Sequence, residues 1–365
     1  MVKVCHISTA HPPFDVRIFH KECVSLAKAG FDVYLVVTHD KAETVQGVKI
    51  IPLPASKSKL HRMFIKTHFA FYRSLKTKSK IYHFHDPELM IVGILLRILG
   101  KKVIFDSHEN VSVQIETKEW LGNKTIRKLV QKSYRLLERF SILFYQKIIS
   151  VTPEIVEFLS PSKGVLVRNY PILSKIEENG QRDKISNITT VIYAGGLTKI
   201  RGIKELCQAI ELVQGEAELV LLGKWESESF KAECLDGTAK VNYLGLVPLN
   251  EVYPIMKNAD LGCVTLYKVK NHLNSLPIKS FEYMACRLPL LMSNIPYWEN
   301  EFKGSAIIVD PYSIEDIKEK IEWVLNNKEE AKRIGQFGWK TVNEKYSWEV
   351  ESKKLIKMYN ELINN

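Results

Sequence analysis

At 365 residues the chain is too long for one modest core and suits two domains, and its ordinary composition excludes a disordered or fibrous class. The net charge of +11 is uneven: residues 1–185 hold 30 Lys and Arg against 17 Asp and Glu, residues 186–365 hold 22 against 24, so an anionic partner is expected on the first half alone. Six scattered cysteines form no CxxC and meet no His at zinc-finger spacing, and they read as reduced, mostly buried thiols of a cytoplasmic chain.

Residues 2–8 read as a strand, not as a secretion signal. A loop over 9–16, a helix over 17–29 ended by Gly30 and a strand over 31–38 open a parallel doubly wound sheet, whose ligands sit at the C-terminal strand ends. Asp15 fits the helix N-cap with Arg17 solvated in its first turn, and a ligand-loop role for both stands equally open. Residues 57–80 interleave basic with apolar and aromatic residues, which fits a helix on an anionic membrane surface or a core helix with a basic outer face. The pattern returns over 118–147, with Trp120, Tyr134, Phe140, Phe144 and Tyr145. Residues 81–85 are a strand ending at His85, after which Asp86, Pro87 and Glu88 read as cap, first-position proline and first-turn acid of the next helix. The apolar run 89–99 is too short to span a bilayer. A strand over 101–105 ends in Asp106-Ser107-His108-Glu109-Asn110, strands follow at 147–152 and 165–167, and residues 169–187 turn polar as a linker.

In the second half a buried strand over 189–194 runs into Gly195-Gly196-Leu197-Thr198-Lys199-Ile200-Arg201-Gly202. The glycines let the backbone approach an anion, and Lys199 and Arg201 supply the opposite charge, so the turn suits a pyrophosphate. Strands over 218–222 and 241–244 end at Gly223 and Gly245, and another covers 259–264. The stretch Asn274-Ser275-Leu276-Pro277-Ile278-Lys279-Ser280-Phe281-Glu282 then brings a polar loop to a short helix with Pro277 in its first turn, Phe281, Met284 and Ala285 inward and Glu282 near the loop. A strand over 288–292 follows. Helices rich in Glu and Lys after Asp310 read as structural, and a last helix runs to Leu362 with Trp348 and Tyr359 as packing anchors.

The 274–289 stretch, with the ordered matches around it, resembles the donor-binding segment of retaining glycosyltransferases of family 4. The resemblance implies an α/β GT-B fold: two Rossmann-like doubly wound domains facing a cleft, with the C-terminal helix crossing back to the N-terminal domain. Residues 1–170 with 346–365 would be the acceptor side, 171–187 the linker and 188–345 the nucleotide-sugar domain. It places Glu282 on the ribose-binding Glu and Asn274 where the family has a sugar-binding Glu, with Leu276 beside them at the donor; Lys279, three residues before Glu282, fits the donor phosphates or a solvent-facing helix position equally. Gly196 stands where the family's pyrophosphate loop has an Arg, and Arg201 where it has a Lys, with Lys199 nearby. His108 falls on a His beside the donor's anomeric carbon, and Asp15, Arg17 and His85 face the acceptor.

The implied reaction is metal-independent transfer, with retention, from a nucleotide sugar to an acceptor hydroxyl; no Asp-x-Asp is present to clamp a metal, and no cofactor is bound. A UDP-sugar is slightly favoured over a GDP-sugar. The implied acceptor is a lipid-linked saccharide of O-antigen or capsule synthesis, met by a peripheral protein on the cytoplasmic face of an anionic membrane. Nucleic acid is not an expected partner, because no recognition motif accompanies the charge. The rival readings are a non-catalytic nucleotide-sugar-binding or scaffolding subunit and a GT-B epimerase.

Overall fold

The computed structural model describes residues 1–107, 111, 115, 122–153, 156–157, 162–178 and 187–364. Two compact units divide the chain: Met1–Asn169 with Glu351–Asn365, and Tyr170–Val350.

The first unit is built on β1 (Lys3–Ile7), β2 (Asp32–Thr38), β3 (Glu43–Val45), β4 (Val48–Leu53), β5 (Ile81–Phe84), β6 (Lys102–Ser107), β7 (Lys147–Ser150) and β8 (Gly164–Leu166). They line up as β3-β4-β2-β1-β5-β6-β7-β8, and every pair is parallel except the β3–β4 hairpin at the edge. Gln46 and Gly47 turn that hairpin with positive φ of 49° and 81°, the two left-handed residues that a tight two-residue turn needs. The connections leave β1 toward β2 on one side and return to β5 on the other, so the sheet has a switch point between β1 and β5. Helices cover its faces: Met90–Ile98 lies so close that a Cβ added at Gly93 would fall 2.6 Å from the Phe84 ring.

Two sequence expectations differ from the structure, on Asp86 and on the second basic aromatic stretch. Asp86 makes no cap bond to the helix after it; its carboxylate turns back to accept from Ser8 Oγ (2.9 Å), Thr9 N (2.6 Å) and Ala10 N (3.2 Å), because the loop leaving β1 offers more donors than the three-residue turn Pro87–Leu89. Residues 57–80 form the helices His61–Lys66 and Thr67–Lys76, whose Ala70, Phe71 and Leu75 pack on the core, while Lys57, Lys59, Lys76, Lys78 and Lys80 stand exposed together with Phe64 and Tyr72 and Lys66 is buried with its ammonium on Thr9 O. In the second basic aromatic stretch Tyr145 is fully buried and Tyr134 and Phe144 pack against the core, so of the residues named there only Phe140 is seen at the surface; Trp120 lies outside the described residues.

The second unit carries β9 (Thr189–Ala194), β10 (Ala217–Leu222), β11 (Val241–Gly245), β12 (Leu261–Val264), β13 (Leu290–Ser293) and β14 (Ala306–Val309), in the order β11-β10-β9-β12-β13-β14, all parallel. Counted from β9 this is the 3-2-1-4-5-6 order of a Rossmann sheet, with the switch point between β9 and β12. Its inner strands β9, β10, β12 and β13 are buried almost end to end because helices cover both faces, while the edge strands β11 and β14 are half-buried. Inside the stretch expected as a linker, Leu173–Glu178 is helical, and Tyr170, Leu173 and Ile176 are buried in this unit's core.

The last helix, Trp348–Asn364, begins in the second unit, where Trp348 N donates to Pro171 O (2.8 Å). From Glu351 onward it belongs to the first, with Leu355, Met358, Tyr359 and Leu362 buried. All six cysteines are free and buried, and among the described residues no helix is long and apolar enough to cross a membrane.

Candidate active site

Gly195 and Gly196 sit at the C-terminal end of β9, beside the switch point of the second sheet. There Ala194 N donates to the buried Tyr283 hydroxyl at 2.8 Å, which ties the helix Ile278–Ala285 to the end of β9. The Tyr283 ring lies over Gly262 in β12, where an added Cβ would come within 2.5 Å of it. Gly223, at the end of β10, has φ +141°, and a Cβ there would stand 1.8 Å from Gly195 O, so only glycine lets these two loops pass. Gly202 has φ +65° against Thr265 O, and Tyr267 N donates to Ile200 O at 2.8 Å. The loops after β9, β10 and β12 are thus locked to one another through backbone contacts.

On this frame Arg201 donates from Nη1 to the Tyr193 hydroxyl at 3.2 Å, with Gly195 beneath its guanidinium and Gly196 beside it. Lys199 is exposed, its ammonium 4.0 Å from Glu233. Glu282 is nearly buried and salt-bridged to Lys279, one turn earlier on the same helix face. Pro277 takes the N-cap position, one residue before the first helical turn where it was expected, so the amides that open the helix come from Ile278 onward. Trp298 Nε1 donates to Ser275 O (2.6 Å) and holds the preceding loop, in which Leu276 packs against the core. Asn274 is exposed at the end of the short helix Lys270–Leu273. Thr198 Oγ1 and Ser280 Oγ, one from each segment, are buried without a hydrogen-bond partner. Basic groups, helix-start amides, a carboxylate and two hydroxyls without a hydrogen-bond partner are thus carried by the loop after β9 and the helix Ile278–Ala285, which the Ala194–Tyr283 bond joins.

The first unit places its expected residues differently. Asp15 caps the wide helix Val16–Cys23, accepting from Arg17 N (2.8 Å) and Ile18 N (2.9 Å). Arg17 is not solvated: it is buried, giving Nε (2.8 Å) and Nη2 (2.9 Å) to the Asp106 carboxylate and Nη1 to Val167 O (3.2 Å). His85 is buried too, with Nδ1 3.1 Å from Asp106 and Nε2 3.0 Å from His6 Nδ1. Tyr359 Oη closes the group, 3.1 Å from His6 Nε2 and 2.9 Å from His83 Nδ1, and Glu22 lies among them. Burial raises the Glu22 carboxyl well above its usual range, with Asp106 adding to burial and Arg17 opposing it, while burial and the neighbouring imidazole His85 lower His6 and His83. His6, Glu22 and His83 had no functional reading in the sequence, and Tyr359 was read only as a packing residue. The available signal was the period-two spacing of His83 and His85, which puts both on one face of β5, together with the pairing of His6 with His83 across β1 and β5. His108 lies outside the described residues.

Above this cluster, the Asp86 carboxylate receives His11 Nδ1 at 3.0 Å. Burial alone would raise the Asp86 carboxyl, but the bonds from His11, Thr9 and Ser8 outweigh it and hold it at about 2; His11 is raised in turn by Asp86, against burial.

Known proteins resemble the chain along its length. Residues 17–166 match the profile of Glycosyltransferase Family 4, and residues 174–341 that of Glycosyl transferases group 1. The capsular polysaccharide biosynthesis glycosyltransferase CapM of Staphylococcus aureus is 21% identical over 98% of this chain and 97% of its own. Among solved structures, sucrose-phosphate synthase from Thermosynechococcus elongatus superposes with a TM-score of 0.72 at 17% identity, covering 100% of both chains. Anabaena HepE, solved with UDP and glucose, gives 0.70 at 11% identity over 99% of this chain and 100% of its own. With two Rossmann-ordered units and both halves matched in order, the chain belongs to family 4 of the GT-B glycosyltransferases, and it is a glycosyltransferase.

Proposed function

We propose that the chain transfers a sugar from a UDP-sugar, with retention and without a catalytic metal, to an acceptor hydroxyl of a lipid-linked saccharide in surface polysaccharide synthesis. The single observation that carries the donor half is the Ala194–Tyr283 bond, which holds the glycine turn and the Lys279–Glu282 helix at one switch point. Glu282 would take the ribose hydroxyls; Arg201, Lys199 and Lys279 with the Gly196 turn would face the diphosphate; Leu276 and Asn274 would line the sugar. His108 would meet the sugar at the reacting carbon.

Asn274 offers no carboxylate nucleophile, which favours a front-face route. The bond from the sugar's anomeric carbon to the diphosphate oxygen breaks while the acceptor oxygen bonds to the same face of that carbon. The acceptor's proton passes to the departing diphosphate, whose charge the basic loop stabilises. UDP is preferred as donor nucleotide because HepE was solved with it on the same fold.

The membrane half rests on the first unit. The helix pairs 61–76 with 90–98 and 90–98 with Lys124–Ile142 pack side by side, and their outer faces expose Leu60, Phe64, Ile98, Leu129, Leu136 and Leu143. Lys59, Arg62, Lys128, Lys132 and Arg135 stand in the same segments, and each basic residue near an anionic surface contributes about 1 kcal/mol. Such a face suits a peripheral protein at the inner leaflet, with Asp15 near the acceptor path and Arg17 and His85 supporting it from beneath.

Thermal stabilisation by UDP and GDP, followed by transfer from the matching sugar nucleotides to membrane extracts, tests the reading. Stabilisation by UDP with release of UDP dependent on a lipid fraction is expected. Stabilisation without turnover on any acceptor would leave the scaffold reading instead.

A further inference from the structure

The cluster at the β1–β5 switch point holds more ligating chemistry than packing requires. We propose that His6, Glu22 and His85, with His83 on the fourth side, form a buried site for one first-row divalent metal ion, zinc by coordination preference. The four residues are fully or almost fully buried, and their ligating atoms all lie within 4.8 Å of one another. Glu22 Oε2 stands 3.9 Å from His6 Nδ1, 3.7 Å from His83 Nδ1 and 4.0 Å from His85 Nε2, and the His6 and His85 nitrogens are 3.0 Å apart. Bonds of about 2.1 Å in a tetrahedral site separate the ligand atoms by roughly 3.4 Å, within this spread.

Two observations point to an ion. The Glu22 carboxyl is buried and receives no N–H or hydroxyl bond, sharing only a carboxyl–carboxylate bond with Asp106; Arg17 Nε approaches Oε1 to 3.2 Å, but its one proton goes to Asp106. Two carboxyls thus face a single guanidinium, and a Glu22 oxygen that the guanidinium leaves unbonded stands among three imidazoles, where an ion would meet it. The second is the outer support of each ring. Asp106, bound twice by Arg17, is a carboxylate, so His85 Nδ1 carries the proton toward it and Nε2 presents a lone pair inward. His6 can give its Nε2 proton to Tyr359 Oη, which turns the Nδ1 lone pair to the same point. A carboxylate and a phenol behind two inward imidazoles is the outer-shell arrangement that orients metal-binding histidines. Imidazole and carboxylate donors suit zinc and its first-row neighbours. All four residues belong to the first unit, and the proposal does not rest on the proposed transfer reaction.

Elemental analysis of the whole chain, purified without a histidine tag, tests this directly. About one equivalent of metal per chain is expected, lost on unfolding in chelator and regained on refolding with zinc, with a higher Tm for the refilled protein. Refolding with cobalt(II) should give visible d–d absorption. Glu22→Gln keeps the shape of the side chain and should lower zinc affinity roughly tenfold or more, and His85→Gln should do the same if it folds. Background metal in the purified chain, with a Tm indifferent to zinc on refolding, would overturn the proposal. That result would leave His6 Nδ1 donating to His85 Nε2 in a metal-free chain of bonds. Metal that stays bound at full affinity in both variants would overturn it as well, since the ion would then lie elsewhere.

Discussion

Asp86 sits at the meeting of two loops, and its role can be read from proton binding. Its folded pKa of about 2 lies below the ordinary 3.8, so it contributes stability that is fully present above 3.8 and lost as pH falls through about 2. His11 is raised above its ordinary 6.5, so its share is complete below that value and is lost as pH rises through the folded pKa. Asp86→Asn should therefore cost about 2 kcal/mol near pH 5, where both groups are charged, and less near pH 9. Urea unfolding of both proteins at the two pH values measures this. An equal cost at both would mean that the His11 pair adds nothing beyond the neutral hydrogen bonds.

Elements are fixed by a few backbone contacts, and these give sharper tests than the apolar core. Tyr283→Phe leaves the buried Ala194 N–H without its acceptor and should cost about 1–3 kcal/mol while weakening UDP binding. A variant with unchanged Tm and UDP affinity would break the link between the helix Ile278–Ala285 and the glycine turn. Gly223→Ala forces a Cβ into Gly195 O at a backbone angle that side chains rarely adopt, and a loss above about 3 kcal/mol is expected from chemical denaturation. The helix faces of the first unit should behave in the opposite way. Phe64→Glu with Leu136→Glu removes exposed side chains, so stability should stay within about 0.5 kcal/mol, while sedimentation with anionic liposomes falls severalfold. Unaltered, salt-insensitive sedimentation would place the contact elsewhere or make it unspecific.

Across the whole molecule, the elements that were legible in the sequence are those defined locally. Residues 189–194 form β9 as expected, because a short apolar run bounded by turn residues has one buried outcome in a parallel sheet. Phe281, Met284 and Ala285 face inward as the helical period required. What stayed hidden depends on distant partners. Arg17 and Asp86 looked like helix-start residues, and nothing near them in sequence shows that Asp106 or the β1 loop receives them. Tyr359 reads as a packing residue until the last helix brings its hydroxyl to His6, 353 residues earlier in the chain. Tyr134 and Tyr145 were taken for surface aromatics because basic neighbours mask the phase of an amphipathic helix.

The claim on which the account depends is that the switch point of the second unit binds the donor nucleotide. Calorimetric titration of UDP into the wild-type chain and into Glu282→Gln measures it. Replacing a carboxylate that accepts from two ribose hydroxyls by an amide that mismatches one should cost about 1.4 kcal/mol, a tenfold loss of affinity, with the fold intact by circular dichroism. Equal UDP affinity in the two proteins, or no binding to the wild type, would contradict the account.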